Sequence, residues 1–174
     1  MTAYVAFLGG INVGGHRVTM ERLRVEFEAL DFGGISTFIA SGNVLFTASG
    51  AAGGIERRIE GHLEDALGYA VPTFLRSRRA VTGTVALDPF GRLGTRSTHL
   101  VAFLKKAPGA AATREIAALA NRQDRFEVHG RALHWLVVNG GVSDSTVKPA
   151  AVRAAVGPYT TRNVKSLRTL VGRW

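Results

Sequence analysis

Four polar residues, Asn12, Arg17, Ser41 and Asn43, lie within two residues of a glycine in the first part of the chain. The first two lie in the run GGINVGGHR at residues 9–17, and the other two flank a glycine in the run SGN. An amide, a hydroxyl and a guanidinium can together bind an anion, and glycines let backbone N–H groups approach it closely. The pattern predicts that an anionic or phosphorylated small ligand binds at residues 9–17, the glycine-rich loop.

A second polar segment, Thr161-Arg162-Asn163, precedes a predicted helix near the end of the chain. It combines a guanidinium, an amide and the N–H groups of a helix start, all of which favour negative charge. We expect this segment and the glycine-rich loop to face one pocket. The predicted ligand-binding residues are Gly10, Asn12, Gly14, Gly15, Arg17, Ser41, Asn43, Arg162 and Asn163.

Each of these segments also has a purely structural interpretation. The glycine-rich loop is neither a GxGxxG fingerprint nor a P-loop, and glycines also serve to turn a chain tightly. Gly42 and Asn43 are typical of a hairpin turn. Arg162 and Asn163 fit the start of a capped helix with a solvated basic side. The sequence leaves both interpretations open.

No set of residues identifies a reaction, so the catalytic residues stay unknown. A serine hydrolase would need a G-x-S-x-G elbow, which this sequence lacks, and no general base can be named. An enzyme of unknown reaction is nevertheless an alternative, its small substrate bound by Asn12, Ser41, Asn43 and Arg162.

The five histidines do not form a metal-binding pattern. None is spaced three or four residues from another on a helix, and no HExxH motif occurs, so we expect no metal site and no cofactor. His129 and His134 flank one predicted hairpin and can meet across it.

Positive charge is concentrated in the second half of the sequence. Residues 1–88 carry 8 Lys and Arg against 9 Asp and Glu, whereas residues 89–174 carry 14 against 4. Such a field favours acidic ligands. A second alternative is therefore a nucleic-acid-binding module that uses the basic half, although the strands lack the paired exposed aromatics of RNA-recognition domains. A third is an interaction protein that forms a homo-oligomer through its sheets or through Trp135 and Trp174.

The composition limits the compartment and the partners. No cysteine is present, which excludes disulfides and thiolate chemistry and fits a reducing cytoplasm. No stretch approaches the ~20 apolar residues of a membrane span. We therefore predict a cytoplasmic protein that has no membrane partner.

The elements that position the glycine-rich loop follow from hydrophobic spacing. Apolar residues 4–8 predict a buried strand, and Thr19 caps a predicted helix. A hairpin, at residues 35–40 and 44–47, is followed by a helix over residues 55–67 that Gly68 ends. Residues 71–75 predict an edge strand, which completes the ferredoxin-like order β-α-β-β-α-β.

The second half repeats this order from residue 99. Its VAFL at residues 101–104 is identical to the VAFL at residues 5–8. A helix at residues 111–121, a hairpin at residues 125–138 and a helix from about residue 146 to residue 156 are predicted next. In place of a closing strand, we expect the chain to turn into a last helix capped by Thr161.

The sequence thus predicts an α+β protein of two ferredoxin-like βαββα(β) halves packed together, the second ending in an extra helix. The predicted subdomains are residues 1–90 and residues 91–174, related by internal duplication. Two open sheet faces, or the cleft between the halves, are the binding surfaces this architecture offers.

Four segments carry a resemblance to a known family. They are FLGGINVGG at residues 7–15, IASGNVLF at 39–46, DPF at 88–90 and TRN at 161–163. In this order and spacing the chain resembles the bacterial family known as domain of unknown function 1697. The resemblance covers nearly the whole chain and implies a two-subdomain α+β protein with no established activity.

The sequence departs from the family pattern at two places. Gly9 stands where members usually have an arginine, and Val164 stands where the usual RNWNT has its tryptophan. If those side chains hold a ligand in the family, this protein has lost or moved the contacts. Lys165 is placed to restore one charge.

Overall fold

The computed structural model describes residues 1–12, 14–39 and 42–174, so Val13, Ala40 and Ser41 lie outside the described residues. The chain divides into two compact units, Met1–Val81 and Thr82–Trp174, hereafter the first and second unit. Helices and antiparallel strands alternate in each, which confirms the predicted α+β class. The boundary predicted near residue 90 stays a prediction, as does the origin of the units by duplication.

The first unit has a four-stranded antiparallel sheet in the order β2-β3-β1-β4. A further helix, α3, continues from the last strand across the division between the units. The elements are β1 Thr2–Leu8, α1 Met20–Glu28, β2 Gly33–Thr37, β3 Asn43–Ala48, α2 Ala52–Leu67, β4 Thr73–Ser77 and α3 Arg78–Ala86.

Helices α1 and α2 cover one face of this sheet. The hydroxyl of Thr19 caps α1 by accepting a hydrogen bond from the Arg22 N–H at 3.1 Å. Gly68, with φ +79°, ends α2. Both ends are where the sequence predicts them, because capping depends on residues adjacent in the chain. The apolar cluster under the helices includes Tyr4, Ala6, Leu8, Leu23, Phe27, Ile59 and Leu63.

Two strands of the first unit have bounds that differ from the prediction. The edge strand β4 begins at Thr73 rather than at residue 71, because Pro72 has no N–H to give to the sheet. Strand β2 ends at Thr37 rather than at residue 40, since Ile39 has φ +51° and so leaves the extended conformation.

The second unit has the same kind of sheet, in the order β6-β7-β5-β8. Its core includes Leu100, Ala102 and Leu104 of the central strand, packed with residues of the helices that follow. The elements are β5 Thr98–Leu104, α4 Ala110–Ala118, β6 Asp124–His129, β7 Ala132–Val137, α5 Pro149–Val156, β8 Tyr159–Asn163 and α6 Val164–Gly172.

The end of the second unit corrects one prediction. The sequence predicts the last helix in place of a closing strand, but the structure has both. Thr161 pairs with Ala102 in the sheet, and Asn163 rather than Thr161 caps α6, its Oδ1 accepting from the Lys165 N–H at 2.8 Å. Two adjacent β-branched threonines favour the extended strand. Each half therefore has a closing strand followed by a helix.

The faces of the central strands away from these helices are also buried. Val5 and Phe7 of β1 and Val101 and Phe103 of β5 are all 0% exposed. The prediction that open sheet faces offer a binding surface is therefore wrong at these positions. Within the described part of the chain, no helix is both long enough and apolar enough to cross a membrane.

Candidate functional site

The glycine-rich loop connects β1 to α1 through residues with left-handed backbone. Gly14 and Gly15 have φ values of +68° and +92°, which favour glycine. A Cβ added to either residue would meet nothing within 4 Å. Backbone conformation rather than close packing therefore accounts for glycine at these two positions, and the loop leaves open space beside its backbone. Gly10 is also exposed, with φ +66°.

Asn12 connects the middle of this loop to the residue that follows it. Its side-chain Oδ1 accepts a hydrogen bond from the backbone N–H of Val18 at 2.8 Å, six residues along the chain. The side chain is exposed, so it lies at the loop surface rather than in the core. Asn12 thereby fixes the path of the chain into α1.

An open cavity of about 550 Å³ lies against the second part of the loop. A neighbouring cavity of about 590 Å³ shares residues 15–19 with it and extends to the end of α2. Among the described residues, none that lines either cavity is acidic. Their combined lining is Asn12, Gly15, His16, Arg17, Val18, Thr19, Arg22, Ala66, Leu67 and Tyr69.

His16 and Tyr69 form one wall of the second cavity. Their rings stack with centroids 3.8 Å apart, and the Tyr69 hydroxyl donates to the carbonyl of Ile11 at 3.3 Å. This stack ties the glycine-rich loop to the residue that follows Gly68. Sequence reasoning missed Tyr69, because no pattern links positions 16 and 69.

The two arginines that line these cavities have different surroundings. Arg22 forms an ion pair with Glu26, at 2.5 Å between Nε and Oε1, and Glu26 also contacts His62 at 2.7 Å. Arg17 is exposed at the start of α1, where the first N–H groups of the helix have no intrahelical partner. Arg17 is therefore the stronger candidate to bind an anion.

The SGN segment packs directly on the glycine-rich loop. The carbonyl of Gly42 accepts from the Leu8 N–H at 2.9 Å. Gly42 has φ +72°, and a Cβ there would lie 2.7 Å from Cγ2 of Ile11. The structure thus brings two of the predicted segments together, while predicted site residue Ser41 lies outside the described residues.

Asn43 has a structural partner of its own. Its side chain is 1% exposed, and Nδ2 donates to the carbonyl of Phe38 at 2.9 Å. This bond closes the turn between β2 and β3, as the hairpin interpretation expects. A role for Asn43 in ligand binding stays a prediction.

Arg162 and Asn163 belong to the second unit, where both have structural roles. Arg162 is 7% exposed, and its Nη1 donates to the Thr160 hydroxyl at 2.8 Å and to the Thr161 carbonyl at 2.9 Å. Burial lowers the pKa of its guanidinium to about 10. Asn163 caps α6. That these two residues share a pocket with the glycine-rich loop stays a prediction.

The first unit has a buried arginine at the matching place. Arg76 of β4 lies opposite Val5, just as Arg162 of β8 lies opposite Val101. Arg76 is 4% exposed, and its Nη1 donates to the carbonyl of the preceding residue, Leu75, at 2.8 Å. Sequence reasoning missed Arg76, because the strands that carry the two arginines lie at different distances along the chain from the VAFL repeat.

Metal ligands do not cluster in the described parts of the chain, where no three His, Asp or Glu side chains are grouped to hold an ion. Buried histidines instead contact each other in the second unit, at His99 and His134.

Comparison with known proteins gives a family and a fold. The family model described as "Protein of unknown function (DUF1697)" matches residues 1–134. The solved structure of a conserved bacterial protein from Streptococcus pneumoniae is similar, with a TM-score of 0.71 and 20% sequence identity over 98% of this chain and 97% of that one. At this identity the likeness supports the fold alone. No curated protein matches the sequence.

Proposed function

The chain belongs to the DUF1697 family of proteins of unknown function, and we propose that it binds a small anionic or phosphorylated ligand at the glycine-rich loop. The ligand occupies the cavity between this loop, the start of α1 and Tyr69. Its anionic group contacts Arg17 and the first N–H groups of α1.

The charge of the cavity lining carries this proposal. Arg17 and Arg22 contribute guanidinium groups, and the described residues around the cavity include no carboxylate. The volume of about 550 Å³ lies within the ~300–1,000 Å³ common for small-molecule sites. An anion here gains attraction mainly from Arg17 and the helix dipole, since Glu26 already pairs with Arg22, whereas a cation would gain none.

The uncharged part of the ligand is expected to lie beside His16 and Tyr69. Their stacked rings line the same cavity as Arg17. Sugars and bases both pack on aromatic surfaces, so a sugar phosphate or a nucleoside monophosphate fits this arrangement.

An NMR titration with paired compounds tests the proposal. The charged probes are inorganic phosphate, a hexose phosphate and AMP, and the hexose and adenosine serve as their uncharged counterparts. We expect at least one charged probe to shift the backbone signals of residues 14–19, and its uncharged counterpart not to do so. The proposal is wrong if no charged probe perturbs these signals.

A matched pair of variants locates the anionic group. Arg17→Gln should weaken binding about tenfold, which is the loss expected for a charge-assisted contact of ~1.4 kcal/mol. Arg57→Gln removes the same charge from an exposed position of α2 that does not line the cavity. Equal affinities in the two variants would place the ligand elsewhere.

The nucleic-acid alternative has less support from the structure. RNA-recognition sheets stack bases on exposed aromatic side chains, but Phe7 and Phe103 of the central strands are 0% exposed. The homo-oligomer alternative, through the sheets or through Trp135 and Trp174, loses one of its two tryptophans, because Trp135 is 2% exposed and donates its indole N–H to Asp124. A cytoplasmic location stays a prediction.

A further inference from the structure

We propose that the second unit contains a separate binding site for a small organic anion that carries an apolar body. The site is a cavity of about 550 Å³ between β8, the start of α5 and the loop that precedes α5. It is distinct from the glycine-rich loop in both residues and unit. Its lining is Leu100, Trp135, Val142, Ser143, Ser145, Thr146, Val147, Lys148, Pro149, Arg153, Tyr159, Thr160 and Thr161.

The cations at this cavity have no carboxylate beside them in the lining. Lys148 and Arg153 are both exposed, and none of the described lining residues is acidic. The nearest acid in sequence, Asp144, accepts a hydrogen bond from the Gly141 N–H at 2.7 Å. After Asp144 the sequence contains no further Asp or Glu. The residues that line the cavity therefore carry a net positive charge, which favours an anion.

The inner wall of the cavity is apolar. Leu100, Trp135 and Val147 are 4%, 2% and 8% exposed, and Pro149 continues this surface toward the rim. Inorganic phosphate alone would leave the wall in contact with water, and an uncharged apolar molecule would not use the cations. The lining as a whole fits a molecule with both an anionic group and an apolar body.

A buried carboxylate holds the loop that forms the cavity. Asp124 is 0% exposed and accepts four hydrogen bonds. The donors are the indole N–H of Trp135 at 2.8 Å, the Ser145 hydroxyl at 2.6 Å, and the backbone N–H and hydroxyl of Thr146 at 2.9 and 2.7 Å. These bonds satisfy the hydrogen-bonding capacity of both carboxylate oxygens, while Asp124 keeps its negative charge beneath the loop. They also fix the wall and the loop relative to each other before a ligand arrives, which lowers the entropy cost of binding.

Tyr159 supports the cationic side of the cavity. Its hydroxyl donates to the carbonyl of Pro149 at 3.2 Å, and the guanidinium of Arg153 lies 5.8 Å from its ring centroid. This contact holds the guanidinium of Arg153 on the same side of the cavity as Tyr159. Burial of Tyr159 raises the pKa of its hydroxyl, so it remains uncharged at neutral pH.

A pair of fluorescent probes tests the site in the full-length protein. Anilinonaphthalene sulfonate has an aromatic body and one anionic group, and N-phenylnaphthylamine has nearly the same body without the charge. We expect the sulfonate to bind at this cavity and the neutral amine to bind there at least about tenfold more weakly. In an NMR titration, the sulfonate should shift the indole N–H signal of Trp135.

Charge variants link this binding to the rim. The double substitution Lys148→Gln and Arg153→Gln should weaken sulfonate binding about tenfold. Arg114→Gln is the control, since Arg114 is exposed on α4 of the same unit and does not line the cavity. The Trp135 indole signal reports only on the cavity of the second unit, and the backbone signals of residues 14–19 report only on the glycine-rich loop, so the two proposed sites are tested separately.

Three results would overturn the proposal. They are equal affinity of the two probes, equal affinity of the double variant and the Arg114→Gln variant, and sulfonate binding that leaves the Trp135 indole signal unmoved. Retention of the native spectrum by the double variant separates lost binding from lost folding. Both substituted side chains are exposed, so we expect that spectrum to be retained.

Discussion

The imidazole rings of His99 and His134 are hydrogen-bonded to each other in the second unit, with 2.9 Å between Nε2 of His99 and Nδ1 of His134. Both are buried, at 7% and 0% exposed. Nε2 of His134 has no hydrogen-bond partner among the described residues. Burial lowers the pKa of both rings, that of His134 to about 4, where the neighbouring His99 and His129 lower it further. The pair is therefore neutral at pH 7.

This neutral pair predicts a loss of stability on acidification. In the unfolded chain a histidine takes up a proton near pH 6.5, whereas folded His134 resists protonation until about pH 4. The stabilisation of the folded protein by neutral His134 is complete above pH ~6.5 and is lost as the pH falls toward 4. The free energy of unfolding should fall by about 3 kcal/mol over this range. Urea unfolding between about pH 7 and about pH 4.5 measures this slope.

Two substitutions separate the pair from other acid-titrating groups. His134→Leu should flatten the pH slope, whereas His129→Gln, at an exposed position of the same hairpin, should leave most of it. Other charged groups act on the pair: Asp88 raises and Arg168 lowers the pKa of His99, and Glu127 lies opposite His134 in the sheet. Identical slopes in wild type and His134→Leu would contradict the prediction.

The histidines of the second unit show which contacts can be predicted from the sequence. The sequence places His129 and His134 where they can meet across one hairpin, and their rings do lie 5.5 Å apart, edge to face. The hydrogen-bonded partner, His99, lies 35 residues earlier, on β5. Only the register that places Val101 opposite His134 brings it close. Contacts within one hairpin are local, but pairing between distant strands depends on the whole fold.

The same limit explains which parts of the fold and the site could be predicted. The Thr19 cap and the Gly68 stop involve neighbours in sequence and were found. The closing strand β8 depends on pairing with β5 and was missed. The cavity of the second unit joins Leu100, Lys148 and Tyr159 from separate segments, so no motif marked it.

A substitution pair at Asn12 tests whether this residue supports the loop, the ligand, or both. Asn12→Asp keeps the Oδ1 acceptor for the Val18 N–H and places a negative charge at the start of α1, so stability should stay equal or rise slightly. The same charge should weaken binding of an anionic probe about tenfold. Asn12→Ala removes the acceptor and should cost about 1 kcal/mol of stability.

Urea unfolding and the phosphate-probe titration distinguish these outcomes. If Asn12→Asp binds the charged probe as well as wild type, the anionic group lies away from Asn12. If Asn12→Ala is as stable as wild type, the hydrogen bond to Val18 does not hold the loop.

A glycine pair tests the contact between the SGN segment and the glycine-rich loop. At Gly42, alanine must adopt φ +72° and its Cβ would lie 2.7 Å from Ile11, a buried β-branched side chain. Gly42→Ala should lower the free energy of unfolding by about 2–4 kcal/mol, which combines backbone strain with overpacking.

Gly34→Ala is the matched control. Gly34 has φ +60°, but a Cβ there would meet nothing within 4 Å, so only the strain of about 1 kcal/mol applies. Urea unfolding of both variants measures the difference. Equal losses of stability in the two variants would show that the Ile11 side chain moves aside at no energetic cost. The SGN segment and the glycine-rich loop would then not be tightly packed.

The last prediction concerns the buried carboxylate beneath the cavity of the second unit. Burial alone would raise the pKa of Asp124, but hydrogen bonds from Ser145, Trp135 and Thr146 outweigh it and lower the pKa below the usual 3.8. Asp124→Asn would point an amide N–H₂ at groups that are themselves donors. We expect a loss of about 2–4 kcal/mol in the free energy of unfolding, because a buried donor is left without an acceptor.

Asp65→Asn is the control, since Asp65 is exposed on α2 and should change stability by less than about 0.5 kcal/mol. The depressed pKa adds a pH signature: the stabilisation by Asp124 is complete above pH ~4 and is lost as the pH falls below the folded pKa. The variant should lack this acid-dependent loss.

The same substitution should also affect probe binding. Because the hydrogen bonds of Asp124 fix the wall and the loop, Asp124→Asn should weaken sulfonate binding although Lys148 and Arg153 are unchanged. A variant that is as stable as wild type and binds the probe equally would show that Asp124 does not organise this cavity.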